Sequence, residues 1–156
     1  MRVPMLRITA LSLAAAIIAS FIAVVLMTLS YHILMWARGS VTLPPGTWSA
    51  PLVFILGVLY SLFFAFPTFF IGGSGGFAYL ALWFLTMVLY GVCLSRNRRF
   101  VSLRYVMLAA LLGSVTALPL LRKVAMWDST GGWGEAIALL SGLVAGLLFL
   151  REFVRR

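Results

Sequence analysis

Residues Gly72 to Gly76 read Gly-Gly-Ser-Gly-Gly and join two very apolar stretches. They contain Gly-x-Ser-x-Gly, the sequence of the turn that carries the serine nucleophile in many hydrolases. That turn follows a strand, precedes a helix and requires an acid and a histidine later in the chain. Ser74 lies between two predicted helices, and the single histidine, His32, precedes it. We therefore expect no catalytic role for Ser74 and predict only a turn, formed by Gly72, Gly73, Ser74, Gly75 and Gly76.

The same segment resembles a second serine motif. Gly72-Gly73-Ser74-Gly75 is similar to the Gly-x-Ser-Gly of rhomboid-type intramembrane proteases, over these four residues only. The resemblance implies a serine paired with a histidine on a later helix, and no histidine follows position 32. A phosphate-binding loop would continue with a lysine and a serine or threonine, whereas Phe77 follows the glycines.

Few other side chains could support acid–base or metal chemistry. The acidic residues are Asp128, Glu135 and Glu152, and Cys93 is the only cysteine. A metal site needs several converging histidine, cysteine or carboxylate ligands. Asp128 and Glu135 flank a predicted helix start, where a capping role is the simpler interpretation. We predict that the chain is not an enzyme and has no metal site and no cofactor.

The elements that carry these residues are predicted from composition. Of 156 residues, 63% are hydrophobic and 10% are charged, against about 45–50% and about 25% in soluble domains. The mean hydropathy is +1.12, and several apolar runs approach or exceed the ~20 residues that span a bilayer as a helix. Continuous apolar runs, without polar alternation, argue against a β-barrel. The sequence therefore predicts an all-α, polytopic transmembrane helix bundle.

We predict five spans in a single transmembrane domain that covers residues 1–156. The predicted helices are roughly 8–36, 52–71, 77–94, 105–121 and 134–150. The first apolar run is about twice as long as the core of a signal peptide, so we expect it to be retained. Pro67 is expected to kink the second helix or to unwind its last turn. Four spans remain an alternative, with one run re-entrant or interfacial.

The net charge of +9 comes from arginines at the ends of the apolar runs. Charges at these positions set the orientation of spans and meet anionic lipid headgroups, so we expect no nucleic-acid partner. With five spans, an outside N-terminus puts eight of the twelve basic residues in the cytoplasm, and the reverse puts four there. This favours an N-out, C-in protein of the plasma membrane, the bacterial inner membrane. Arg2 and Arg7 conflict with this orientation, because they would prefer the cytoplasm.

The densest basic cluster consists of Arg96, Arg98, Arg99 and Arg104. We interpret it as a cytoplasmic anchor in an anionic leaflet, or as a site for a lipid headgroup phosphate or an anionic substrate. Around the glycine turn, nine aromatic residues are expected to face lipid or to line an apolar pocket, such as a groove for an acyl chain: Phe63, Phe64, Phe66, Phe69, Phe70, Phe77, Tyr79, Trp83 and Phe84.

Small residues recur four apart on one face of several predicted helices. Such faces let helix backbones approach closely inside a membrane. The sets are Ala15, Ala19 and Ala23; Gly57, Ser61 and Ala65; Ala109, Gly113 and Ala117; and Ala138, Gly142 and Gly146. We interpret them as packing within one bundle, or, for the fifth helix, as a face for a second subunit or a partner.

These features predict a non-enzymatic integral inner-membrane protein that acts through helix–helix or protein–protein contacts. It would be an accessory or assembly subunit, or an immunity-type protein. Its partners would be the lipid bilayer and a membrane protein or further copies of the chain. The alternative is a small oligomeric transporter or channel, because Pro67 and the glycine turn together suggest a broken helix. An enzyme that acts on lipid is the third hypothesis.

Overall fold

The described part of the chain folds into five α-helices. The computed structural model describes residues 4–39, 49–71, 74–97, 100–121 and 133–155. In chain order the helices are α1 (Met5–Ala37), α2 (Ser49–Ile71), α3 (Ser74–Arg96), α4 (Leu103–Leu121) and α5 (Gly134–Val154). No strand occurs in these described ranges, so the predicted all-α class is confirmed. Each helix contains the range that the sequence predicts for it and extends beyond that range at one or both ends.

The helices have the length and composition of membrane spans. Among the described helices, α1, α2, α3 and α5 are long and apolar enough to cross a membrane, and α4 is a shorter apolar helix. α1 has 33 residues, and at 1.5 Å per residue it measures about 50 Å. The hydrocarbon core of a bilayer is about 30 Å thick. α1 therefore either tilts strongly or extends past the hydrocarbon.

Local sequence sets the limits of α1. Pro4, which has no backbone N–H to leave unpaired, stands directly before the first helical residue. At the other end Gly39 adopts a φ of 66°, which glycine tolerates without steric cost. The Gly39 N–H donates to the carbonyl of Trp36 at 2.9 Å, and this bond closes the last turn.

The start of α1 meets the end of α5. The guanidinium of Arg7 donates from Nη2 to the carbonyls of Glu152 at 3.0 Å and Phe153 at 3.4 Å. Gly91, near the end of α3, lies against both Ile8 and Phe149. Because α1 leads away from this point while α3 and α5 lead towards it, and α1 packs along both, α1 is antiparallel to α3 and α5. We call this the arginine end of the bundle.

α4 returns the chain from the arginine end. Near the end of α4, Ser114 Oγ lies 3.2 Å from the carbonyl of Ala138, near the start of α5. Near the start of α4, Val106 faces Gly146. α4 and α5 are therefore antiparallel, and the connection between them lies at the opposite end, which we call the far end.

α2 also runs opposite to α1. Its Phe54 packs on Trp36, with ring centroids 5.1 Å apart, and its Phe66 packs on Phe21 at 5.8 Å. α2 and α3 therefore run in the same direction, one after the other. They meet where the ring of Phe69 packs on Tyr79 at 5.9 Å. The chain thus makes four passes along the bundle, with α2 and α3 together forming the second.

This arrangement differs from the predicted five-span, N-out, C-in topology, in which the chain ends lie on opposite sides. Here Arg7, near the start of the described chain, donates hydrogen bonds to the carbonyls of Glu152 and Phe153, near its end. The physical reason is that α2, although long enough for a span of its own, shares its direction with α3. The alternative left open by the sequence was four spans with one run re-entrant or interfacial, and it did not include two helices that share one pass.

The glycine turn is shorter than predicted. α3 begins at Ser74, so Ser74, Gly75 and Gly76 form its first turn, and Gly72 and Gly73 lie outside the described residues. A Cβ at Gly76 would overlap the backbone carbonyl of Phe69, so this position requires glycine for the close approach of α2. α2 continues through Pro67 to Ile71, and the predicted unwinding of its last turn is wrong.

The core lies between α1, α3, α4 and α5. α3 contributes the large side chains Tyr79, Trp83 and Met87, and α5 contributes Phe149, all of them buried. α1 contributes a buried face of small residues, which are Ser12, Ala15, Ala16, Ala19, Ser20 and Ala23. The predicted aromatic cluster is divided: Phe69, Tyr79 and Trp83 are buried, whereas Phe63, Phe64, Phe66 and Phe77 are exposed.

The meeting of α1 and α5 predicts that both chain ends lie on one side of the membrane. Topology reporters joined before Met1 and after Arg156 should therefore give the same compartment. A reporter inserted between residues 40 and 48, in the α1–α2 connection, is the matched control and should give the other compartment. Opposite compartments for the two chain ends would contradict this fold.

Candidate functional site

Trp83 fills the space between α4 and α5. A Cβ at Gly113 of α4 would lie 2.5 Å from Cζ3 of the indole, and a Cβ at Gly142 of α5 would overlap the same ring. Two of the small-residue faces therefore meet on one aromatic side chain. Gly113 and Gly142 are required here because a side chain at either position would displace the ring.

The other residues of these faces also pack within the chain. Ala117, Ala138 and the α1 residues Ala15, Ala19 and Ala23 are buried. A Cβ at Gly146 would come within 3.1 Å of Val106 Cγ1. Ala65 is buried in α2, and Ala109 is half-buried beside the core. The small-residue face of α5 is thus covered by the chain itself and is not exposed for a second subunit.

A buried polar cluster links α3, α4 and α5. Ser141 Oγ donates to the carbonyl of Ala138 at 3.0 Å, so it accepts the hydroxyl of Tyr79, 2.7 Å away. Ser114 donates to the carbonyl of Ala110 at 2.6 Å and lies near the carbonyl of Ala138. The sequence did not predict this cluster. Its only indication in the sequence is a serine beside a small-residue face, and the partner of that serine is known only once the packing of the helices is known.

His32 connects α1 to α2. Its Nδ1 lies 2.8 Å from the carbonyl of Thr28, which can only accept, so Nδ1 carries a proton and donates. In the neutral ring Nε2 then accepts from Ser61 Oγ at 3.1 Å. Gly57 lies beside the imidazole, where a Cβ would be at an ordinary contact distance of 3.9 Å from Nε2. The arrangement is a polar bridge between two helices.

The described part of the chain contains no group of three or more histidine, cysteine, aspartate or glutamate side chains that could hold a metal ion. Glu135 lies in the first turn of α5, where a negative charge is favourable. Asp128 lies outside the described residues, and for Ser74 the structure gives only the backbone.

An apolar groove of about 320 Å³ runs between α3 and α4. Leu89 and Cys93 line it from α3, Leu108 and Leu112 from α4, and Phe100 from the connection. Near its end are two exposed arginines, Arg96 as the last residue of α3 and Arg104 as the second residue of α4. The remaining members of the basic cluster, Arg98 and Arg99, lie outside the described residues.

Comparisons of the chain with models of known families, with curated proteins and with solved structures find no match. Three features of the chain itself therefore bear on function. These are a closely packed interior, an aromatic helix α2 on the side of α1, and the groove between α3 and α4.

The contact of Gly142 with Trp83 predicts a steric cost for any side chain at position 142. Gly142→Ala should lower the free energy of unfolding by about 1–3 kcal/mol, because the indole has to move. Unfolding in detergent micelles would measure it. Trp83→Phe should recover part of the loss, because the smaller ring leaves space for the methyl group.

Gly57→Ala is the matched control for this substitution. It places the same methyl group in a helix at an ordinary contact distance from His32, so stability should be unchanged or slightly raised. Equal effects of the two substitutions would contradict the role assigned to Gly142.

Proposed function

We propose that the chain is a non-enzymatic integral protein of the bacterial inner membrane that acts through contact with another membrane protein. Its role would be that of an accessory or assembly subunit, and an immunity-type protein would use the same mode of contact. The observation that carries this proposal is the exposed aromatic face of α2, centred on Tyr60.

α2 is attached to the bundle along one face only. Of the 18-residue apolar window of α2, 17% is buried, against 44% for α1 and for α5. On its exposed side Tyr60 packs on Phe64 at 4.8 Å, and Phe63 packs on Phe64 at 5.4 Å. These rings form a rigid apolar surface of the kind that anchors protein contacts.

Tyr60 favours a protein partner over lipid. It lies at the middle of α2, and its side chain is 69% exposed. Its hydroxyl has no hydrogen-bond partner among the described residues, and hydrocarbon offers none. Burying such a hydroxyl without a partner is costly. A helix of another protein could supply the acceptor and cover the neighbouring rings.

The distribution of charge supports an orientation with both chain ends in the cytoplasm. Nine of the twelve basic residues belong to the chain ends or flank the α3–α4 connection, whereas Arg38, Arg122 and Lys123 belong to the other two connections. The positive-inside rule favours the side with nine. Arg2 and Arg7, which conflicted with the five-span prediction, agree with this orientation.

The interior of the bundle supports a role without chemistry or ion transport. The buried polar residues of the described chain are Ser12, Ser20, Thr28, Ser114 and Ser141. All are neutral hydroxyls, whereas proton relays and ion-coupled carriers place ionisable groups at membrane depth. A chain of this kind would act through its outer surface.

A photo-crosslinking amino acid at Phe63 tests the proposal in cells. We expect one discrete protein adduct, because the α2 face contacts a specific partner. The same amino acid at Leu140, an exposed position on α5, is the matched control and should give no protein adduct. Adding Tyr60→Phe should lower the Phe63 adduct about threefold, since a hydrogen bond between membrane helices is worth about 0.6 kcal/mol. Equal adducts from Phe63 and Leu140 would refute the proposal.

A small transporter or channel is the second candidate, favoured by the division of one pass into α2 and α3. Discontinuous helices often surround the substrate sites of transporters. Purified protein in sealed liposomes separates the two candidates. We expect liposomes with the protein to retain a trapped small solute as well as empty liposomes do. Release that depends on the protein would favour the transporter.

A further inference from the structure

The groove between α3 and α4 has the length of one lipid leaflet. Its lining on α4 extends from Tyr105 to Thr116, a distance of about 16 Å at 1.5 Å per residue. This is about half of the ~30 Å hydrocarbon core. The groove begins near the arginine end, where α3 ends and α4 begins, and extends past the middle of α4. An acyl chain from that leaflet would lie along it.

Aromatic side chains border the groove at its arginine end. The hydroxyl of Tyr90 donates to the carbonyl of Phe100 at 3.3 Å, which holds Phe100 against α3. The ring of Phe100 packs on Tyr105, with centroids 4.8 Å apart. Aromatic rings of this kind are common where a protein meets lipid headgroups.

Positive charge stands directly beyond this end. Arg96 follows Cys93 by three residues and Arg104 precedes Leu108 by four, so each arginine shares a helix face with a lining residue and lies one turn further out. No acidic residue occurs in α3, in α4 or between them. An anion held by both arginines would meet two guanidinium groups, which suit the geometry of a phosphate.

We propose that this groove binds one anionic phospholipid, with an acyl chain along Leu89 and Leu112 and the headgroup phosphate at Arg96 and Arg104. A general electrostatic anchor would use only the charges and leave the groove without a role. Binding of a soluble phosphate would likewise use only the charges and leave the groove without a role. The combination of an apolar groove of leaflet length with charge at its outer end matches an amphiphile. This site is independent of the protein partner proposed for α2.

Native mass spectrometry of the detergent-purified protein tests the site directly. The probes are phosphatidylglycerol and phosphatidylcholine with identical acyl chains. We expect one phosphatidylglycerol to bind about tenfold more tightly than phosphatidylcholine, because each arginine near a headgroup favours the anionic lipid. Arg96→Gln with Arg104→Gln should remove this preference. Equal binding of the two lipids by the unmodified protein would overturn the proposal.

A second pair of arginines distinguishes a specific site from general charge. Arg151→Gln with Arg155→Gln removes the same charge from the arginine end, but in the last turn of α5 and at the residue that follows it. This variant should keep the preference for phosphatidylglycerol. If it loses the preference as fully as the Arg96 and Arg104 variant, the protein has only an electrostatic anchor and the proposed site is refuted.

The single cysteine allows the groove to be blocked in the folded protein without a substitution. Cys93 is exposed in the groove, so reaction with a bulky maleimide should abolish the retention of phosphatidylglycerol. Cys93→Ser treated with the same reagent is the control and should still retain it. Retention by the blocked protein would show that the lipid binds elsewhere. Competition by soluble glycerol phosphate at the same concentration as the lipid would show an anion site without an acyl chain, and would also overturn the proposal.

Discussion

The packing of Trp83 against two glycines is the contact on which the bundle depends. Inside a bilayer the hydrophobic effect does not draw helices together, so association rests on close packing and on hydrogen bonds. The indole of α3 lies against Gly113 of α4 and Gly142 of α5 and fixes three helices at once. One turn away, Tyr79 donates to Ser141. Shape and hydrogen bonding thus specify the same arrangement of α3 and α5.

α1 is the second feature that organises the bundle, because it is long enough to pack on two different sets of helices. Its first part packs along α3 and α5, and its last part carries α2 through Trp36 and His32. One helix therefore serves two different neighbours. Because α2 packs mainly on the last part of α1, it has few contacts with the rest of the bundle and yet has a defined position. It also separates the two surfaces to which we assign roles, one on α2 and one between α3 and α4.

Much of this architecture follows from the sequence. Apolar runs bounded by arginines predict five helices, and residues four apart such as Ala138 and Gly142 predict close packing. The direction in which each helix runs could not be predicted in the same way, because a helix has the same hydropathy whichever way it crosses the membrane. It is set by tertiary contacts such as Arg7 with Glu152, which join residues 145 positions apart. The first turn of α3 was not predicted as helix because glycine is a weak helix former. Gly76 is needed in that turn because the backbone of Phe69 packs against it, and this is also a tertiary contact.

The groove between α3 and α4 could not be predicted from the sequence either. The aromatic residues around the glycine turn were expected to face lipid or to line an apolar pocket, and the structure buries Trp83 and Tyr79 and exposes Phe63 and Phe77. The groove lies instead beside Phe100 and Tyr105, and nothing in the sequence indicates that these two rings pair. The sequence predicts the arginine cluster as an anchor or as a site for an anionic headgroup or substrate, but it does not predict the length of apolar surface beside it.

The pairing of α1 with α5 has a consequence for synthesis of the chain. α1 and α5 are separated along the chain by α2, α3 and α4, so their contact can form only after all five helices have been made. α2 is the first neighbour of α1 to be made, and it packs on the other part of α1. The α1–α2 pair can therefore form before α1 and α5 close the bundle.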